Sequence, residues 1–312
     1  TMIFMAIAVG SNVGCSVVIS RYFGGGWMRK MKTAVSTTIL ASLVLSIFLT
    51  GIGLVVSGPL LHVMNTPANI FDQGKLYLNI YIAGLVFLFL YNVATGVFTS
   101  LGDSKTPLVF LIGSSIGNIL LDLLFVISFH WGVAGVAWAT FIAQGIACIL
   151  ALITLRKRVA AIDTQGGKIA LFSKSMLGKI AFIAIPSILQ QSFVSVGNLF
   201  IQGLVNSFGS GVLAGYSAAV KLNNFAITSF STLGNGVSNF TAQNLGAGKE
   251  DRVEKGFHSG ILIAACIGVF FVLGYFVTGK GAMSLFLQNT SGEAMKTGVL
   301  YLRILSPFDF AI

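Results

Sequence analysis

Residues 33–57 read TAVSTTILASLVLSIFLTGIGLVVS, a run without one charged residue or proline. As an α-helix rising 1.5 Å per residue it would extend ~37 Å. That exceeds the roughly 30 Å hydrocarbon core of a bilayer, so the run reads as a membrane-crossing helix.

The same reading extends outward from it. Apolar spans fall at about 2–22, 33–57, 69–98, 106–129, 132–155, 179–207, 212–244, 256–279 and 294–312. Hydrophobic residues make up 55% of the chain and charged residues 9%, against a mean hydropathy of +0.90. Soluble domains carry roughly 25% charge, so the expected fold class is an all-α membrane protein with nine transmembrane helices. Several spans are interrupted by Gly, Asn or Gln, which suits a packed bundle. The 37 glycines agree with a membrane setting.

A net charge of +10 raises the question of a nucleic-acid partner. The basic residues sit between the apolar spans instead, which excludes that reading. One set of loops holds 14 Lys and Arg, from Arg21, the turn at 24–32, Lys105, and the segments 156–179 and 246–255. The opposite set holds 3, namely Lys75, Lys280 and Lys296. Cytoplasmic loops collect Lys and Arg, so the rich face is expected in the cytoplasm and the chain in the plasma (inner) membrane. Cys15, Cys148 and Cys266 lie inside apolar runs without a CxxC pair and read as packing residues.

The chain also repeats itself. Gly14-Cys-Ser16 followed by Arg21-Tyr-Phe-Gly24-Gly-Gly26 recurs as Gly236-Val-Ser238 followed by Gln243-Asn-Leu-Gly246-Ala-Gly248. Asn65-Thr66 with Gly74-Lys-Leu76-Tyr77-Leu78 recurs as Asn289-Thr290 with Gly298-Val-Leu300-Tyr301-Leu302. Spans one to three thus match spans seven to nine in the same orientation. Parallel repeats of this kind are a recurring plan of secondary transporters. The expected organisation is an N-terminal lobe at 1–155, a cytoplasmic linker at 156–178 and a C-terminal lobe at 179–312. A complete two-fold plan has twelve spans, so one is expected to be missing before the first copy and two after the second. In the linker, Ile169, Leu171, Phe172 and Met176 suit a helix lying on the membrane surface; a plain basic linker fits equally.

In order and spacing, several stretches resemble the multidrug and toxic compound extrusion (MATE) family, nearest its DinF- and MepA-like members. They include Thr66-Pro67, Leu101-Gly102-Asp103-Ser104-Lys105-Thr106-Pro107, Asn118-Ile-Leu-Leu-Asp122 and Gly132-Val-Ala-Gly135-Val-Ala-Trp-Ala-Thr140. In the second half they include Ile185-Pro186-Ser187, Gln202-Gly-Leu-Val-Asn206-Ser-Phe-Gly209 and Ala242-Gln243-Asn244-Leu245-Gly246-Ala247-Gly248. The resemblance implies twelve helices in two six-helix lobes and export of amphipathic organic cations in exchange for protons or sodium.

Asp122 is the residue most charged with meaning. An ionisable group inside a span is costly unless it is paired, protonated or hydrated. Asn118 lies one turn earlier on the same helical face. An amide oxygen and a carboxylate so placed can coordinate Na⁺, and a carboxyl held away from water also takes up protons readily. A bracing role between helices is the alternative. The resemblance assigns Asp122 and Asn118, with Thr140 from the fifth span, to a cation-coupling site. That site draws a further carboxylate from a first helix, which this chain lacks. The helix at 179–207 likewise has no acid where sodium-type members carry a glutamate. Its Gln190, Gln191, Asn198, Gln202 and Asn206 either line the substrate path or bond helix to helix.

Lys221 either meets substrate or snorkels, and Phe87, Phe89, Tyr91, Phe193, Phe200 and Tyr216 are candidates for an aromatic cavity wall. Pro67 and Pro107 read as helix starts, and Pro186 and Pro307 as kinks. No cofactor is expected beyond the transported H⁺ or Na⁺. The expected partners are small organic cations and the bilayer, with the protein a monomer. A lipid-linked oligosaccharide flippase would need more cations than Lys221 and Arg303. A membrane-embedded enzyme lacks an HExxH, GxSxG or paired-acid motif, and His62, His130 and His258 are scattered.

Overall fold

The computed structural model describes residues 2–63, 68–164, 169–287 and 292–311. Asn65, Thr66, Pro67, Lys168, Asn289 and Thr290 lie outside the described residues. The helices are α1 (Met2–Gly24), α2 (Met28–Val63), α3 (Ala68–Ala83), α4 (Leu85–Ser100), α5 (Lys105–Leu123), α6 (Gly132–Ala160), α7 (Lys174–Asn206), α8 (Ser210–Gly246), α9 (Glu250–Ser284) and α10 (Glu293–Leu305).

Seven helical segments are long and apolar enough to cross a membrane: Ile3–Gly24, Met28–His62, Ile70–Ser100, Lys105–Ser128, Gly132–Ala160, Lys174–Asn206 and Glu250–Ser284. The expected spans at 212–244 and 294–312 are helical too but fall short of that standard. In α8 the shortfall comes from its Ser, Asn and Lys residues. The helix α10 has 13 residues and gives way to a 3-10 segment, Ser306–Ala311, that contains Pro307. The expected surface helix in the linker is not seen among the described residues. Instead α6 runs on to Ala160, α7 begins at Lys174, and Met176 is buried inside α7.

Two compact units divide within α7, at Ser192 and Phe193. In the first, α4 is the central helix. It packs against α1, α2 and α6, and Leu85, Phe89, Val93, Ala94 and Val97 are fully buried. The stretch that opened the sequence analysis shows how the bundle is built. In α2 the side chains of Thr37, Thr38, Ser42 and Ser46 turn inward, while Val44, Phe48 and Val55 are 62–77% exposed. Large apolar groups outside and small hydroxyls inside is the arrangement expected where the surroundings are lipid. The buried hydroxyls are satisfied locally: Thr38 donates to Ala34 O at 2.8 Å and Ser46 to Leu43 O at 2.9 Å.

The first half of α7 belongs to this unit because α1 lets it approach. A Cβ added at Gly10 or Gly14 would come within 2.5 Å of Ile188 or Ala184. In the second unit α8 packs on α9 and α10 around Ala219, Met283 and Leu302.

The repeat is visible as geometry. Gly26 has φ +71 and Gly248 φ +68. After α1, Gly26 N–H donates to Phe23 O at 3.1 Å and Trp27 N–H to Tyr22 O at 2.9 Å. After α8, Gly248 N–H donates to Leu245 O at 3.2 Å and Lys249 N–H to Asn244 O at 2.9 Å. Both helices therefore end in the same left-handed glycine cap, which satisfies carbonyls the helix leaves over. A further turn, before α5, is closed by Asp103, whose Oδ1 accepts from Thr106 N–H at 3.0 Å and whose Oδ2 accepts from the Thr106 hydroxyl at 2.8 Å. Partial desolvation opposes ionisation of Asp103, but the hydrogen bonds from Thr106 and the field of Arg158 outweigh it and hold the carboxyl below its ordinary range.

Gly26→Ala and Gly248→Ala should each cost about 1–2 kcal/mol, the strain of a side chain in the left-handed region, read from thermal unfolding in detergent. Asp103→Ala should cost about 1 kcal/mol as a lost cap. Because the folded pKa is lowered, that difference should be complete above the ordinary carboxylate pKa near 4. It should vanish as pH falls through the lowered value.

Candidate functional site

In the N-terminal unit α5 and α6 run side by side, joined by a π-helical turn at Leu124–Ser128. The turn is closed by Phe129 N–H donating to Leu124 O at 3.1 Å. Such widened turns recur at functional sites. Here it is buttressed by Phe125, Phe129 and Trp131, whose ring centroids lie 5.0–5.8 Å apart, and it follows directly on Asp122.

The structure brings two of the three expected coupling residues into contact. Asn118 Nδ2 donates to Thr140 Oγ1 at 3.4 Å, from α5 to α6. Asp122 lies one turn beyond Asn118, and its Oδ1 is buried without a hydrogen-bond partner. A buried oxygen without a donor is expensive, and protonation or a small cation is chemically able to relieve that cost. Beside Thr140 a pocket of about 10 Å³ opens between α3 and α6, lined by Tyr77, Tyr81 and Gln144 among others. That is room for about one water molecule. Sequence reasoning missed these three. The usable signals were Gln144, one helical turn past Thr140, and Tyr77 within the repeat.

The candidate cavity residues are dispersed. Gln190 and Gln191 belong to the first unit, Asn198, Gln202 and Lys221 to the second. Gln202 Nε2 donates to Asn206 Oδ1 at 3.1 Å, a bond within one helix. Lys221 is exposed, with Nζ 5.9 Å from the centre of the Phe286 ring. Phe89 is fully buried in the core and so is no cavity wall. Phe87 packs edge-on to Phe141, the Tyr91 hydroxyl donates to Pro107 O at 3.2 Å, and Tyr216 pairs with Tyr301. Phe193 and Phe200 are exposed.

The second unit holds a further unsatisfied group. Asn223 Nδ2 donates to Asp309 Oδ1 at 3.4 Å, both residues being at least nine-tenths buried. Asp309 Oδ2, Asn223 Oδ1 and Ser306 Oγ have no partner. Among the described residues no cluster of three or more His, Cys, Asp or Glu could hold a metal ion.

The sequence pattern of the MatE family matches residues 1–124 and 186–312. The chain belongs to the MatE family. It is therefore a membrane-embedded transporter of small molecules and not an enzyme. The probable multidrug resistance protein YpnP of Bacillus subtilis is 29% identical over 304 residues, covering 97% of this chain and 67% of that protein. YoeA of the same organism, also a probable multidrug resistance protein, is 28% identical over 293 residues, covering 92% and 63%. The FAD transporter of Shewanella oneidensis is 24% identical over 264 residues, covering 82% and 57%. The chain thus spans about two thirds of the length of the first two relatives. A MOP superfamily transporter from Pyrococcus furiosus superposes with a TM-score of 0.88 at 22% identity, covering 99% of this chain and 69% of that one. A variant of the Vibrio cholerae MATE transporter VcmN gives 0.88 at 21%, covering 99% and 70%. These superpositions establish the MatE fold over nearly the whole chain.

Because Asp122 Oδ1 makes no hydrogen bond, Asp122→Asn should leave the midpoint of thermal unfolding unchanged or higher. A fall of several degrees would show that the carboxyl braces the helices.

Proposed function

We propose that this MatE protein works as a secondary exporter of amphipathic organic cations, driven by antiport of H⁺ or Na⁺, with Asp122, Asn118 and Thr140 as the coupling site. One observation carries the reading: the partnerless, buried Oδ1 of Asp122, one turn from the contact between Asn118 and Thr140. Family membership and the names of YpnP and YoeA support export of drugs. Two lobes, at 1–155 and 179–312, work by alternating access, with the basic loops in the cytoplasm and the protein a monomer in the plasma membrane. A coupling ion shifts that equilibrium only if it binds the two states unequally. One charge crossing a potential of 100 mV supplies roughly 2.3 kcal/mol.

A second reading concerns the substrate. The Shewanella relative is named an FAD transporter, and the exposed Lys221 on α8 suits a phosphate-bearing anion.

The test is dye efflux by the full-length protein in energised vesicles. Asp122→Asn should reduce gradient-driven ethidium efflux to the level of empty vesicles, while Asp309→Asn retains it. Efflux that survives Asp122→Asn but fails with Asp309→Asn would move coupling to the C-terminal carboxyl. Efflux of FAD and not of ethidium would establish the second reading.

A further inference from the structure

The turn between α1 and α2 and the first turns of α7 enclose a groove of about 690 Å³ within the N-terminal unit. Its charged lining is Arg21, Lys30 and Lys179, and no carboxylate is among the residues that line it. All three side chains are exposed.

Two of the cations lie against aromatic rings. Lys179 Nζ donates to the Tyr22 hydroxyl at 3.0 Å, and Lys30 Nζ lies 5.1 Å from the centre of the Trp27 ring. Tyr22 and Trp27 are themselves paired at 5.9 Å.

The rest of the groove is apolar and runs into the spans. Val17 lies one turn below Arg21 on α1, and Phe182, 82% exposed, lies one turn below Lys179 on α7. A soluble anion has no use for that wall, and a neutral lipid has no use for three cations. We infer that the groove is a binding site for an anionic phospholipid. Its phosphate meets Arg21, Lys30 and Lys179, Trp27 sits at headgroup depth as interfacial tryptophans do, and an acyl chain lies along Val17 and Phe182. Basic pockets between membrane helices bind anionic headgroups in this way. The inference does not depend on what the protein exports.

Trp27 makes the site directly observable, since the chain has only 3 tryptophans. In full-length protein carrying Trp131→Phe and Trp138→Phe, reconstituted in phosphatidylcholine, Trp27 should be quenched more strongly by brominated phosphatidylglycerol than by brominated phosphatidylcholine at equal mole fraction. Each of Arg21→Gln, Lys30→Gln and Lys179→Gln should reduce that preference about fivefold, in protein whose thermal unfolding shows it intact. Removing Lys249, Arg252 and Lys255 together should leave the preference unchanged. Equal quenching by the two lipids would overturn the proposal, as would loss of preference in the Lys249, Arg252 and Lys255 control. Relief of quenching by inorganic phosphate at millimolar concentration would also overturn it and make the groove a site for a soluble anion.

Discussion

Inside a bilayer no water is available to satisfy a backbone N–H or C=O, and a bare peptide group there costs several kcal/mol. This one constraint explains most of what the chain does. It forces long uninterrupted helices such as α2 and α9, with 36 and 35 residues. It makes the helix ends the only economical places for irregular backbone, and there the chain spends its glycines and Asp103. Even the interruptions obey it. At Gly84 the chain departs from regular helix, yet Gly84 N–H still bonds Ile80 O and Leu88 N–H still bonds Gly84 O, both at 3.1 Å. The π turn after Asp122 likewise exchanges one backbone acceptor for another without leaving the ladder.

Side chains then inherit the problem the backbone has solved. In α2, Thr38 and Ser46 return their protons to the preceding turn, while Thr50 reaches Ile82 O and Ser57 the Asn79 side chain on α3. Asp122 and Asp309 cannot, because a carboxyl oxygen in a helix has no spare N–H within reach. Each therefore keeps an oxygen that the protein itself does not satisfy.

Much of this was legible in the sequence. Long apolar runs and a charge imbalance between loops are bulk properties, so the spans and the repeat could be read from residue type alone. Asn118, Asp122 and Thr140 could be named because two lie one turn apart and the third closes a family motif. What escaped was set by packing. The assignment of Phe89 to a cavity wall failed because sequence gives hydrophobicity without direction, and the side chain of Phe89 faces the core. Of the two readings of the linker, the surface helix is not seen among the described residues, because Met176 has a buried place within α7. Asp309 stood out as an acid within the expected span 294–312, but its pairing with Asn223, 86 positions away, gave no local signal.

The shared glycine caps after α1 and α8 have a consequence for how such a molecule arises. Each cap is closed by the backbone of its own turn, and the helices it joins pack on each other, α1 on α2 and α8 on α9. A hairpin of this kind takes the closure of its turn from its own residues. A gene segment encoding one half therefore encodes its own hairpin turn. Copying that segment in tandem yields a second body that assembles by the same local rules, and the copies are then free to diverge in their buried carboxyls.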